Sequence, residues 1–160
     1  MSLWRWWTAV AGTVLVVGGV AWILKLWVIV ATDGRVVATG AAGAFFDIGL
    51  YSLLVGSTGL GVRLTANREA ALRGVAVVGS PVAFVLSFAL FSGIGYAALA
   101  AGGALAGASL PRYLLEEAGI FVSAVVGLMI GLVLLFGSVR GPRDAAARKV
   151  EQPPHEGLST

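Results

Sequence analysis

Of the 160 residues, 58% are hydrophobic and only 12% are charged, and the mean hydropathy is +0.93. This composition excludes an ordinary soluble domain, a nucleic-acid reader and a disordered chain. The chain has no cysteine and a single histidine, His155, which excludes disulfides, thiolate nucleophiles, iron–sulfur clusters, cysteine-ligated zinc and bis-histidine haem. No metal site and no cofactor are expected.

Four apolar segments are long enough to cross a bilayer, since about 20 residues at 1.5 Å per residue span its hydrocarbon core. They are residues 6–31, 36–62, 74–103 and 113–139. We therefore expect an all-α polytopic membrane protein whose residues 1–140 form four transmembrane helices arranged as two helical hairpins. The polar residues 141–160 include three prolines and few large apolar side chains, and they are expected to form a disordered cytoplasmic tail.

The connections between the spans carry turn and helix-end signals. The run Thr32-Asp33-Gly34-Arg35 predicts a tight turn between the first two spans. The third apolar segment is too long for one perpendicular helix, so Gly102-Gly103 is expected to end it.

Basic residues are unevenly distributed between the two sides of the predicted bundle. Lysine and arginine near the ends of spans are retained in the cytoplasm. One side carries Arg5, Arg63, Arg68, Arg73, Arg140, Arg143, Arg148 and Lys149, and the other carries Lys25, Arg35 and Arg112. We therefore expect cytoplasmic termini in a multi-pass protein of the plasma membrane. The net charge of +3 then reflects topology, and no nucleic-acid partner is expected.

The first span carries tryptophans towards both of its ends, as in the aromatic belts of membrane helices. These are Trp4, Trp6 and Trp7 at one end and Trp22 and Trp27 towards the other. An N-terminal signal peptide is the alternative for this segment, because Arg5 precedes an apolar run. That run, however, is about twice the usual length and lacks a clear small-x-small cleavage site.

Small residues recur every four positions along several spans, which lets helix backbones approach closely in lipid. In the second span they are Gly49, Ser57 and Gly61, a series interrupted by Leu53, and in the fourth Gly119, Ser123, Gly127 and Gly131. These residues are predicted to pack helices together. The sequence leaves open whether the packed helices belong to one chain or to different subunits, and the 23 glycines favour a larger assembly.

Charged residues inside the spans are the candidate functional groups, since each costs about 2.5–3.5 kcal/mol to insert. Lys25 lies about 9 Å from the outer end of its span and is long enough to snorkel to the interface. Asp47 lies about 16 Å below Val36, too deep for its short side chain to reach water unaided. Three states stay open for Asp47: protonated, paired with Lys25, or facing a hydrated ion path.

Glu116 and Glu117 lie near the start of the fourth span, where the helix dipole favours carboxylates. Adjacent residues point about 100° apart around a helix, so the two do not face one site. Glu117 is the stronger candidate, because an offset of 70 residues superposes residues 47–51 on residues 117–121, each an acid followed by aliphatic, glycine, aliphatic and aromatic residues. Two duplicated hairpins would explain this match.

The second span contains the run Phe45-Phe46-Asp47-Ile48-Gly49-Leu50-Tyr51, followed by Leu53-Leu54-Val55-Gly56. This run resembles the last-helix pattern of the MnhB-like family, the B subunits of multisubunit Mrp-type sodium/proton antiporters. The resemblance implies a small multispan subunit beside larger ion-translocating subunits, without catalytic chemistry of its own. It also implies that Asp47, and less closely Glu117, stands where an intramembrane carboxylate contributes to a cation or proton path.

Three functions stay open. The first is an accessory subunit of a cation/proton antiporter or related proton-translocating complex, with Asp47 near the ion path. The second is a structural or interaction subunit of another membrane complex, fastened by a Lys25–Asp47 pair, and the third is a small autonomous transporter. No enzyme is expected, because serine–histidine, cysteine–histidine and metal-ligand constellations are lacking. The expected partners are the lipid bilayer, other membrane subunits and a monovalent cation or proton.

Overall fold

The computed structural model describes residues 3–107 and 109–151, and within them the chain is helical with no strand. The helices are α1 (Leu3–Ala31), α2 (Gly40–Leu64), α3 (Ala70–Leu105), α4 (Arg112–Glu116) and α5 (Ala118–Glu151). Four of the helices are long and apolar enough to cross a membrane: Arg5–Ala31, Gly40–Leu64, Ala70–Leu105 and Ala118–Ser138. The predicted all-α class with four candidate spans is therefore confirmed.

Helix α1 makes the most extensive contacts in the bundle. It packs most extensively against α2 and α5, while α3 packs against the other sides of α2 and α5. The buried core consists of Leu15 and Trp22 of α1, Leu53 of α2, and Ile120 and Ala124 of α5. Helix α3 contributes no buried residue within its apolar window, so most of its surface is free to contact lipid.

The second span begins later than the sequence predicts, at Gly40 rather than at residue 36. Asp33 (φ 52°) and Gly34 (φ 73°) form the predicted turn in the left-handed region, which glycine tolerates and most residues avoid. Gly40, the first residue of α2, also has a positive φ, 57°, which differs from the backbone conformation of an α-helix and marks where the helix begins. The eight residues 32–39 form the connection, longer than the predicted four-residue turn.

The third span extends beyond its predicted end, and the fourth candidate span, Ala118–Ser138, lies within a longer helix. Helix α3 extends to Leu105, two residues past Gly103, and α5 extends to Glu151. The helical residues 141–151 differ from the disordered tail that the sequence predicts. The run Asp144-Ala-Ala-Ala-Arg-Lys149 is rich in strong helix formers, which favours continuation of the helix. The rest of the predicted tail, 152–160, lies outside the described residues.

The repeated small residues pack helices of this same chain against one another. A methyl group built on Gly49 would overlap the indole ring of Trp22 on α1, and one built on Gly131 would meet the backbone of Gly12. Gly127 lies against Leu53 of α2. On α3, Ser80 lies against Gly61, and Ser92 lies against Gly119. These predicted packing positions therefore serve contacts within the bundle.

Candidate functional site

A buried ion pair joins α1 to the start of α5. Lys25 Nζ donates to Glu117 Oε2 at 2.6 Å, and the two side chains are only 5% and 10% exposed. Glu117 is the single residue between α4 and α5, and its backbone oxygen accepts a hydrogen bond from Phe121 N. The carboxylate therefore lies just before the N-terminus of α5, where a helix dipole favours negative charge.

The structure decides between the alternatives that the sequence leaves open for Lys25. It does not snorkel to the interface, because the residue is 4% exposed. Its ion-pair partner is Glu117 and not Asp47. A Lys25–Asp47 pair would lie within the first hairpin, whereas the pair that forms spans 92 positions of the chain.

Aromatic residues position the lysine. The indole N–H of Trp22, one helical turn before Lys25, donates to the backbone oxygen of Phe46 at 3.1 Å. The rings of Trp22 and Phe46 stack with their centroids 6.1 Å apart. Lys25 Nζ in turn lies 5.1 Å from the centroid of the Phe46 ring, within the range of a cation–π interaction. This interaction stabilises the ammonium in addition to its bond with Glu117.

Trp22 is a residue whose role the sequence analysis missed. It was assigned to an interfacial belt, but it is fully buried, whereas Trp27 is 67% exposed. Besides Phe46, its ring contacts Phe84 and Phe88 of α3, with centroid distances of 6.3 and 5.3 Å. The spacing of three residues to Lys25 was the available signal, because it places both side chains on one face of α1.

Asp47 is exposed on the surface of the bundle, so the packed helices do not enclose it as they enclose Lys25 and Glu117. It lies seven residues after Gly40, about 10 Å from the start of α2 at 1.5 Å per residue, because that helix begins later than predicted. Asp47 nevertheless lines the same cavity as Lys25 and Glu117, with a volume of about 230 Å³. We call these three residues the charged cluster.

Glu116 does not join the charged cluster. Its carboxylate accepts a hydrogen bond from Arg112 Nε at 2.6 Å, one turn earlier on α4, and the side chains are 53% and 87% exposed. The prediction that Glu116 and Glu117 face different surroundings is therefore confirmed. The grouping of Glu116 with the buried charges is wrong.

Helix α4 is held against the connection between α1 and α2. The Tyr113 hydroxyl donates to Asp33 Oδ1 at 3.2 Å, and the Tyr113 ring packs on the backbone of Gly34. Burial raises the pKa of the Tyr113 phenol, and the neighbouring Asp33 carboxylate raises it further. These contacts fix the segment that leads directly into Glu117.

A second cavity, of about 320 Å³, lies between α2, α3 and α5 on the other side of the aromatic rings. Its walls are mainly apolar, with Phe84 and Phe88 among them, but they also carry four serine hydroxyl groups. These serines are Ser57, Ser80, Ser87 and Ser123. The hydroxyl of Ser57 donates to Leu54 O, whereas that of Ser123 is buried without a hydrogen-bond partner.

Comparison with known proteins identifies no relative of the chain. No protein-family model matches it, and no curated protein and no solved structure matches it. The resemblance of residues 45–56 to the MnhB-like family stays a prediction. Among the described residues, no group of three or more histidine, aspartate or glutamate side chains is placed to hold a metal ion.

Proposed function

We propose that this chain is an integral membrane accessory subunit of a multisubunit cation/proton antiporter, or of a related proton-translocating complex. Its four long apolar helices are compatible with an integral membrane protein. The observation that carries the proposal is the Lys25–Glu117 ion pair, buried between helices with a second carboxylate, Asp47, in the same cavity.

Such an arrangement is suited to moving a charge over a short distance. A buried ion pair is costly to desolvate, and packed apolar residues would join the helices equally well or better. Lysine has a long flexible stem, and its ammonium is a compact charge that either carboxylate can accept. When Lys25 turns towards Asp47, Glu117 loses its counter-charge and becomes able to take up a proton or a monovalent cation.

The position of the cavity supports an exchange with one side of the membrane. Besides the charged cluster, its walls include Val37 and Ala38, which belong to the connection between α1 and α2. The cavity therefore extends from the buried ion pair to the end of the bundle. Trp22 contacts Phe84 and Phe88, which line the serine-containing cavity. The resemblance of residues 45–56 to an antiporter subunit supports the class of complex.

The test is replacement of Asp47 in the complete complex. The chain is deleted in its native host and replaced by the wild type, Asp47→Asn or Asp47→Glu, and cation-dependent collapse of a pH gradient is followed in inverted membrane vesicles. We expect Asp47→Asn to abolish this exchange and Asp47→Glu to retain it, with equal amounts of chain in the membrane. Unchanged exchange with Asp47→Asn would contradict the proposal.

A structural role within another membrane complex is the second candidate, and the geometry of Lys25–Glu117 favours it. This pair ties α1 to α5, the two helices that also share much of the core. The charge-swapped chain Lys25→Glu/Glu117→Lys separates the two functions. If the ion pair only holds α1 and α5 together, the two charges can be exchanged, and the swapped chain is expected to assemble into the complex. An ion path depends on where each charge lies, so under the first proposal exchange stays lost even in assembled complexes.

A further inference from the structure

A third cavity, of about 530 Å³, lies at the opposite end of the bundle from the charged cluster, where α1 begins and α2 ends. Its polar walls come from Arg5 and Thr8 of α1, Arg63 of α2 and Ser138 of α5. Its remaining walls are mainly apolar. They include Leu60, Leu64, Val133 and Leu134.

Two arginines are held at this cavity by hydrogen bonds between helices. Arg5 Nη2 donates to the backbone oxygen of Ser138 at 2.5 Å, and Arg63 Nε donates to Thr8 Oγ1 at 3.0 Å. Thr8 lies three residues after Arg5, so both arginines reach the same face of α1. A guanidinium has five N–H donors, and these contacts leave most of them available for a further acceptor.

The two positive charges are not balanced by nearby carboxylates. Among the described side chains, ion pairs are formed by Lys25 and Arg112, and neither Arg5 nor Arg63 lies within 4.0 Å of an acidic group. Arg5 also lies in the first turn of α1, where the helix dipole disfavours a cation and favours an anion. An anion bound between the two guanidinium groups would balance their positive charge and would interact favourably with the helix dipole of α1.

We propose that this cavity binds the phosphate of an anionic phospholipid, a site independent of the proposed ion path. Arginine forks bind phosphate oxygens in a bidentate way. A free phosphate ion would make no use of the apolar walls, where Leu64 and Val133 are 74% and 67% exposed, whereas a lipid places its acyl chains against them. The ends of membrane-spanning helices lie at the depth of lipid headgroups, and basic pockets between such helices bind anionic lipids.

The test uses the full chain purified in a neutral detergent, with native mass spectrometry to titrate bound lipid. We expect Arg5→Gln and Arg63→Gln each to weaken binding of phosphatidylglycerol about tenfold, or about 1.4 kcal/mol. Arg35→Gln and Arg68→Gln remove the same charge outside the cavity and are the matched controls. They are expected to bind as the wild type does. An equal loss of phosphatidylglycerol binding in all four variants, or no loss in any of them, would contradict the proposed lipid site.

Two further titrations of the wild type keep the inference testable if a variant does not fold. Binding of phosphatidylglycerol is expected to exceed that of phosphatidylcholine and to weaken as salt rises, because screening acts on charge pairs near the surface. Equal binding of the two lipids, or no effect of salt, would exclude the charged site. Inorganic phosphate is expected to compete weakly, and competition at lipid-like concentrations would show that the acyl chains contribute nothing.

Discussion

Removal of the negative charge from the buried ion pair tests how much this pair contributes to the bundle. Glu117→Gln keeps the size of the side chain but leaves the Lys25 ammonium, 5% exposed, without its partner at 2.6 Å. Breaking a buried pair in this way costs about 3–5 kcal/mol. The Phe46 ring and the nearby Asp47 carboxylate remain as partial compensation, so we expect a loss of about 3 kcal/mol, at the lower end of that range.

The chain contains its own control for this measurement. Arg112 and Glu116 form an ion pair with the same 2.6 Å separation, but their side chains are 87% and 53% exposed. An exposed pair one turn apart on a helix contributes only about 0.3–0.5 kcal/mol. Glu116→Gln is therefore expected to change the free energy of unfolding by less than about 0.5 kcal/mol.

The assay is the free energy of unfolding in mixed micelles, measured for two double-mutant cycles. One combines Glu117→Gln with Lys25→Met, and the other combines Glu116→Gln with Arg112→Met. Because Lys25→Met/Glu117→Gln leaves no buried charge unpaired, it is expected to be more stable than either single variant. Equal coupling energies in the two cycles, or strict additivity at Lys25 and Glu117, would refute the reasoning.

Two further predictions concern packing, and each is measured as a shift in thermal unfolding in detergent. Gly49→Ala is expected to destabilise the chain by about 1–3 kcal/mol, because its methyl group would collide with the buried Trp22 ring, whereas Gly79→Ala, with open space around it, is expected to be neutral or stabilising. Equal effects of the two would contradict the packing. Ser123→Ala is expected to stabilise by about 1 kcal/mol, since its buried hydroxyl has no partner, whereas Ser92→Ala loses a 2.8 Å bond to Phe88 O and is expected to destabilise. A stability loss with Ser123→Ala would show that this hydroxyl is satisfied in the membrane.

The cavities of the described bundle lie in a consistent order along its length. The charged cluster lies near the connection between α1 and α2, the serine-containing cavity lies beyond Trp22, and the arginine cavity lies where α2 ends. The last two share Leu60 and Leu64 in their walls. The ring of Trp22 contacts Phe46 in the wall of the first cavity and Phe84 and Phe88 in the wall of the second.

The helical class and the four candidate spans were predictable from the sequence because both depend on local properties. A long uncharged run needs no neighbour to make it helical in lipid, where each backbone polar group must be satisfied within its own segment. The left-handed turn at Asp33 and Gly34 was predictable for the same reason. The beginning of α2 was harder to predict, because the connection contains apolar residues from Val36 onwards that are similar to those of the helix itself.

The partner of Lys25, the burial of Trp22 and the exposure of Asp47 were decided only by the tertiary structure. Each depends on which helices are neighbours and on how each is rotated about its axis, and neither quantity is encoded in the hydrophobicity of one span. The sequence determined that the chain carries costly charges within apolar helices. The packing of α1 against α5 determined that Glu117, far away in the chain, is the carboxylate that meets Lys25, since these two are the buried charges among the described residues.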